Sequence, residues 1–301
     1  MPRTISALLG LALLLAQGAG SAAEFAFAAM GDAPYNPEER ARMEALLASL
    51  AHQPVAFAVH VGDIKSGHGL CADAVFADRR ALLDASPVPL VLLPGDNDWT
   101  DCDRFLSGGY APEERLAKLR ALFFTAPHSL GRRSLPLERD AVRADGCCPE
   151  NARWWHEGVL FLALHVVGSR DNRGDGKQAK AEFTARRAAV LAWLTESFAQ
   201  ARARQAPAAV VLIHANPSLQ RATPSPAYES LLEALRAEVQ AFVHPVLLVH
   251  GDTHQHRVDR PWPDTNLLRL EVPGSPDVAW VKVLVRPGAA TPFVVQAPQR
   301  P

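Results

Sequence analysis

The stretch Phe25-Ala26-Phe27-Ala28-Ala29-Met30-Gly31-Asp32 runs six apolar residues into a glycine and an aspartate. Three more apolar runs end the same way: Val55 to Val61 before Gly62-Asp63, Pro89 to Leu93 before Pro94-Gly95-Asp96, and Val246 to Val249 before His250-Gly251-Asp252. Each is short, rich in Val, Leu, Phe or Ala, and bounded by Gly, Pro or Asp, which predicts buried strands. Composition alone predicts about one Gly-Asp in a chain of this kind, so the set is a pattern and not an accident of turns. A further run, Ala208 to Ile213, stops at His214 in His-Ala-Asn-Pro, and Val159 to Val167 reads as another strand.

Strands of an α/β sheet end at a carboxyl edge that opens on a crevice. Glycine there permits a sharp turn and leaves room for a bound group. Carboxylates gathered in one crevice repel one another unless a cation stands between them. After Asp252 come Thr253-His254-Gln255-His256. With His214 this places imidazoles at two separate strand ends, a mixed oxygen and nitrogen donor set that suits divalent first-row metals. Two such ions close together generate hydroxide from water and clamp a phosphate oxygen.

Between the runs lie helical patterns: Pro37 to Ala51, Pro112 to Phe124, Ala179 to Arg204 and Tyr228 to Phe242. The first two open with Pro followed by two Glu, a favourable first turn. The tail from Leu267 to Val295 reads as several short strands, and residues 130–151 as a long surface loop. Strands alternating with helices, then a β-rich end, predict a layered α/β domain.

At the N-terminus Arg3 precedes an apolar run, Ile5 to Ala16, and Ser21-Ala22-Ala23 fits a small-x-small cleavage site. Residues 1–23 are therefore expected to be a signal peptide and residues 24–301 a single domain, exported to the periplasm or secreted. No later segment has the length of a membrane span. The formal net charge is −1 and no long single-sign block occurs, so there is no electrostatic footprint for nucleic acid. In an exported chain the four cysteines, Cys71, Cys102, Cys147 and Cys148, favour disulfides with three connectivities. Cys71 and Cys102 each follow a Gly-Asp motif, and if the motifs converge, that pair converges too.

The order of these motifs resembles the calcineurin-like metallophosphoesterase superfamily, over essentially the whole chain beyond residue 23. That family places Asp-x-His, Gly-Asp, Gly-Asn-His-Asp/Glu, a lone His and Gly-His-x-His at strand ends. Here they read Gly31-Asp32-Ala33-Pro34-Tyr35, Gly62-Asp63, Gly95-Asp96-Asn97-Asp98, His214 and Gly251-Asp252-Thr253-His254. The resemblance implies two stacked mixed β-sheets flanked by helices, a four-layer sandwich. It also implies two divalent metal ions and hydrolysis of a phosphate mono- or diester by a metal-bound hydroxide. Carried over by position, Asp63 bridges both metals, Asp32 and His254 hold the first, and Asp96, His214 and Asp252 hold the second.

The departures are specific. Pro34 stands where the family has a ligand His, and Tyr35 beside it offers a phenolate instead. Asp96 replaces Asn and Asp252 replaces His, which makes the site harder and more anionic and favours Mn, Fe or Mg, with Ca and Zn also in range. Asn97 replaces the His that contacts phosphate and assists the leaving group; an amide can bind a phosphate oxygen but cannot act as a general acid. Asn97 and Asp98 thus occupy the catalytic positions, Asp98 with a ligand-orienting role as its alternative. His256, Arg170 and Asn172 are expected near the substrate. His60 and His250, just ahead of Gly-Asp motifs, are expected to support the site from the core, and Arg104 to form a surface salt bridge. The rival expectation is a metal- and phosphate-binding protein on the same scaffold without turnover.

Overall fold

A computed structural model describes residues 23–140, 147–221 and 225–301. The expected signal segment lies, except for Ala23, outside the described residues. Twelve strands are present among those described: β1 (Phe25–Met30), β2 (Ala58–His60), β3 (Leu90–Leu92), β4 (Glu138–Arg139), β5 (Ala152–His156), β6 (Val159–Ala163), β7 (Ala209–Leu212), β8 (Val246–His250), β9 (Arg257–Asp259), β10 (Leu267–Glu271), β11 (Val281–Val285) and β12 (Phe293–Val295). They form a five-stranded sheet in the order β12-β11-β1-β2-β3 and a seven-stranded sheet in the order β4-β5-β6-β7-β8-β10-β9. Both are mixed. β1, β2 and β3 are mutually parallel, as are β6, β7, β8 and β10, and the flanking pairs are antiparallel.

The central strands are mostly apolar, with His60 and His250 at the ends of β2 and β8, because both faces of each sheet are covered. Phe27, Ala29, Val59 and Val91 of one sheet meet Phe161, Ala163, Val210, Leu212, Leu247 and Val249 of the other in a core between the sheets. The alternate residues Ala26, Ala28, Met30, Ala58, Leu90 and Leu92 point outward, against Met43, Leu46, Phe76, Leu83, Leu116 and Leu119 of helices Pro37–Ser49, Asp73–Asp84 and Pro112–Phe123. On the far side Leu160, Leu162, Ala209, Val211, Val246 and Leu248 pack on Val190, Trp193, Leu194, Phe198, Leu231 and Leu235 of helices Lys177–Ala203 and Glu229–Phe242. The result is the expected four-layer sandwich of helices, sheet, sheet and helices. Each fully buried Val, Leu or Phe contributes about 1.5–3 kcal/mol.

Local signals fix the first helix. Asn36 caps it by accepting the Glu39 N–H at 2.9 Å, Pro37 opens it, and Glu38 and Glu39 sit at its positive end. Two features depart from the sequence reading. Helix Asp73–Asp84 was not expected; it buries only Phe76, Leu82 and Leu83, too sparse a stripe for periodicity to reveal. Residues 130–151 are not simply a surface loop: Glu138–Arg139 pairs with β5, and Leu137, Asp140 and Asn151 are buried. That pairing adds an edge to the sheet and depends on residues distant along the chain, not on local pattern. Residues 141–146 lie outside the described residues.

Candidate metal centre

Because β1, β2 and β3 run parallel, Asp32, Asp63 and Asp96 emerge at one edge of the first sheet. β7 and β8 likewise deliver His214 and Asp252 at one edge of the second. The two edges are joined through these same residues. The Asp252 N–H donates to Asp32 Oδ1 at 3.0 Å, and His214 Nδ1 lies 3.0 Å from the Val61 carbonyl oxygen.

The turns work differently from the sequence expectation. Asp32, Asp63, Asp252 and His254 themselves take left-handed backbone, with φ of 53°, 58°, 77° and 57°. Among the four Gly-Asp glycines only Gly62 has positive φ. Gly95 and Gly251 are needed for space: a Cβ at Gly95 would stand 2.0 Å from Asp63 Oδ1, and one at Gly251 would stand 2.1 Å from Asp32 Oδ2. The glycines cradle carboxylates, while the aspartates, which tolerate this backbone better than most residues, make the turn.

Asp32, Asp63 and His214 bring one ligand atom each within 4.8 Å of one another, and Asp96, His214 and Asp252 do the same. His214 Nε2 lies 2.9 Å from Asp96 Oδ1, 3.5 Å from Asp63 Oδ1 and 3.9 Å from Asp252 Oδ1. His254 Nε2 lies 3.7 Å from Asp32 Oδ1 and 3.1 Å from the Tyr35 hydroxyl, which donates to Asp63 Oδ2 at 2.9 Å. His254 Nδ1 is 2.8 Å from the Ser275 carbonyl oxygen. A carbonyl only accepts, so Nδ1 carries the proton on both His214 and His254, and each Nε2 is turned to the carboxylates. This is the arrangement in which histidines present a lone pair to a metal. Asp32 Oδ2 is buried without a hydrogen-bond partner, a costly condition for a carboxylate unless a cation meets it. The donor set therefore fits a pair of divalent ions.

Electrostatics report the crowding. Burial pushes Asp32 up to about 7, opposed by His214 and reinforced by Asp252 and Asp96. Burial also raises Asp63, Asp98 and Asp252. Burial alone would raise Asp96, but the hydrogen bond and charge of His214 and the Ser169 hydroxyl hold it at about 2. Burial would lower His214; the Asp63, Asp96 and Asp32 carboxylates around it reverse this and hold it well above the usual imidazole range. Tyr35 is raised by burial and by Asp63, so with no cation its phenol keeps the proton.

The other sequence candidates fall as follows. The Asn97 N–H donates to Asp63 Oδ1 at 3.0 Å, and its side-chain amide donates to Tyr35 Oη at 3.2 Å and to Asp63 Oδ2. Asp98 accepts the backbone N–H groups of Asp63, Ile64 and Gly95 at 3.0, 2.9 and 2.7 Å, so its carboxylate organises the loops. His60 Nε2 meets the Ala33 carbonyl oxygen at 2.9 Å, and His250 is buried. His256 and Arg170 are exposed, and the Asn172 amide donates to Glu182 at 3.0 Å. Arg104 pairs with Asp101 at 2.6 Å. The sulfurs of Cys71 and Cys102 stand at disulfide distance, as do those of Cys147 and Cys148.

Sequence reasoning gave no role to Ser169, whose hydroxyl oxygen lies 2.7 Å from Asp96 Oδ2 and 2.8 Å from Asp101 Oδ1. It also missed Lys65, buried and donating to the Asn97 carbonyl oxygen at 2.6 Å, and Asn216, whose N–H donates to Asp252 Oδ2 at 2.9 Å. Neither Ser169 nor Lys65 belongs to a spaced motif. Asn216 was in view in His-Ala-Asn-Pro, but the contact is made by its backbone, which any residue carries.

No protein-family model and no curated protein sequence matches the chain. Solved structures do. A dimetal phosphatase from Danio rerio superposes with a TM-score of 0.56 at 12% identity, over 90% of this chain and 98% of that one. Purple acid phosphatase PPD1 from yellow lupin, Lupinus luteus, gives 0.53 at 14% identity, over 90% of this chain and 51% of that one. GAP50, described as the anchor in the inner membrane complex of Plasmodium, gives 0.51 at 11% identity, over 92% and 89%. At these identities the likeness is one of fold.

Proposed function

We infer that this chain, which has the calcineurin-like metallophosphoesterase fold, is a metal-dependent hydrolase of phosphate mono- or diesters. The observation that carries the reading is the convergence of Asp32, Asp63, Asp96 and Asp252 on His214, with the Nε2 atoms of His214 and His254 both turned to the cluster. Asp63 lies between two halves. Its Oδ2 faces Tyr35, next to His254 and Asp32, and its Oδ1 faces His214, next to Asp96 and Asp252. This supports Asp63 as the shared ligand, Asp32, His254 and Tyr35 as holders of one ion, and Asp96, His214 and Asp252 as holders of the other. The oxygen-rich set favours Mn, Fe or Mg, with Ca and Zn in range. Bound there, the ions supply Lewis-acid polarisation of phosphoryl oxygen and activation of water.

The chain's own groups position. Asn97 holds Asp63 and Tyr35 with its two amide protons, and contact with a phosphate oxygen requires one of these bonds to exchange. Asp98, through three backbone amides, keeps the Asp63 and Asp96 turns in register. His256 and Arg170 stand exposed, where substrate contacts belong, while Asn172 is taken up by Glu182. The expected leader and the cysteine pairs support export, with residues 24–301 as one domain; no helix among the described residues is long and apolar enough to cross a membrane.

A second reading is a metal- and phosphate-binding protein without turnover. It is favoured by Asn97, which has no proton to give a leaving group. One experiment separates the two: elemental analysis of protein recovered from an oxidising compartment, with p-nitrophenyl phosphate hydrolysis followed with Mn, with EDTA and after Mn is restored. About two metal ions per chain and EDTA-reversible turnover are expected, both lost in Asp63→Asn. Metal without turnover favours the second reading. Full metal-dependent turnover in Asp63→Asn overturns the assignment of the centre.

A further inference from the structure

Beside the candidate centre opens a cleft of about 340 Å³ whose wall includes Ser169, Arg170, Arg173 and Arg104. It starts one hydrogen bond from the metal-ligand set, because the Ser169 hydroxyl lies 2.7 Å from Asp96 Oδ2. Arg170, Arg173 and Gly174 also line a larger cavity of about 590 Å³, which adds Lys180, Asp175 and Phe183. The two spaces share Arg170, Arg173 and Gly174, so one tract of wall serves both.

The charge on this tract is unbalanced. Arg104 is paired with Asp101 at 2.6 Å. Arg170, Arg173 and Lys180 are exposed, and their side chains have no hydrogen-bond or ion-pair partner among the described residues. Among the described residues of these walls, the exposed Asp103 and Asp175 are the acids left to stand against these three cations. The cleft on the Tyr35 side, about 300 Å³, is different: its Arg40 and Arg79 are both paired with Asp78. Cations left unpaired on a concave wall attract anions, and guanidinium groups match phosphate and carboxylate oxygens in pairs.

The backbone directs the tract at the centre. Ser169, Arg170, Asp171 and Asn172 are all left-handed, with φ between 45° and 57°. A run of this kind persists only where its surroundings hold it. The hold is Asp171, fully buried, which accepts from the Val167 N–H at 3.0 Å, from Arg186 at 2.6 Å and from Arg187. One consequence is that consecutive residues serve the two spaces: Ser169 meets the ligand Asp96, and Arg170 lines the tract.

We propose that the substrate carries a second anionic group, phosphate or carboxylate, besides the ester that is hydrolysed, and that Arg170, Arg173 and Lys180 receive it. This rests on the phosphoesterase reading of the centre. The test compares p-nitrophenyl phosphate with p-carboxyphenyl phosphate and ADP at low ionic strength, in the wild type and in the double variant Arg173→Ala/Lys180→Ala. At least one of the two-anion compounds is expected to show a KM about tenfold below that of p-nitrophenyl phosphate. In the variant that advantage collapses, while kcat/KM for p-nitrophenyl phosphate stays within about twofold. Salt at high concentration erodes the same advantage in the wild type. No advantage in the wild type, or an equal advantage in the variant, overturns the proposal. Calorimetric binding of ADP to metal-free protein separates the two readings. If the wild type hydrolyses nothing but binds ADP, and the variant binds it about tenfold more weakly, the cleft stands and the phosphoesterase reading falls. If neither protein binds ADP or distinguishes the esters, the cleft assignment falls alone.

Discussion

Asp32 is a buried carboxylate with one oxygen bonded to the Asp252 amide and the other unpaired. Its pKa, ordinarily near 3.8, is pushed by burial to about 7. The sign of the pH effect follows. Below about pH 4 the group is neutral in folded and unfolded chains alike; between about 4 and 7 the unfolded chain ionises first, so rising pH favours unfolding. Asp63 and Asp252 are raised too and act in the same direction. Asp96, lowered to about 2, adds stability that is complete above about pH 4 and lost only in stronger acid. The buried His60 and His250, held down to about 4 and about 3, act the opposite way, favouring the folded chain as pH rises through this range. Asp32's own share of the metal-free protein's stability should therefore fall, on the order of a few kcal/mol, as pH rises from about 4 to about 7. Added Mn should restore more of it at pH 7 than at pH 5, since ligands must lose protons to bind. Urea unfolding of EDTA-treated wild type and Asp32→Asn across this range checks the effect; the stability of the variant relative to the wild type should rise with pH. At this scale much was legible in the sequence. Asp32, Asp63, Asp96, Asp252, His214 and His254 all sit at strand ends that pattern alone could place. Ser169 and Lys65 were not legible, because a hydroxyl or an amine becomes part of a site only through what packs beside it.

At the scale of elements, the strand-end turn and the left-handed turn do the positioning. A Cβ at Gly95 would stand 2.0 Å from Asp63 Oδ1. Gly95→Ala is expected to displace the Asp63 carboxylate, abolish metal binding and cost about 1–3 kcal/mol, read by metal titration and thermal unfolding. The turn at Ser169–Asn172 holds left-handed backbone that costs roughly 1–2 kcal/mol per residue outside glycine. Asp171 answers for it by bonding Arg186 and Arg187, both buried. Asp171→Ala should leave Arg187 without its charge partner and Arg186 with Glu182 alone, for a loss of about 3 kcal/mol or more in urea unfolding. Helices with a capping residue or a proline start were readable from local signals. The helix Asp73–Asp84 and strand β4 were not, since the first has few apolar anchors and the second exists only through its pairing with β5.

At the scale of the molecule, two sheets face each other across one apolar layer, and the edge where their parallel strands end is where the acidic residues gather. The Cys71 and Cys102 pair, 31 residues apart, closes a loop that contains helix Asp73–Asp84, β3 and the Asp96–Asp98 turn. Replacing both cysteines by serine should lower stability by about 3 kcal/mol and weaken metal binding in parallel, measured by denaturant titration with and without Mn. Structural relatives at 11–14% identity share this architecture, among them two phosphatases and a protein described as an anchor. At these identities the likeness is one of scaffold, and turnover on a simple ester decides between the two readings of the function.

The sequence by itself determined most of the central strands and the residues at their ends. A strand buried on both faces must be apolar along its whole length, and a change to Gly-Asp is visible where it stops. It also shows Asn97 at the position where the family resemblance implies a histidine, a matter of identity at one position. Only the tertiary structure decided that the glycines serve as space for carboxylates and the aspartates as the turn, because crowding arises between strands far apart in the chain. It alone brought Ser169 to Asp96 and left Arg170, Arg173 and Lys180 without a partner among the described residues, on the walls of the adjoining cleft and the larger cavity. Pattern along a chain records what each element buries, whereas a site is made of distances between elements.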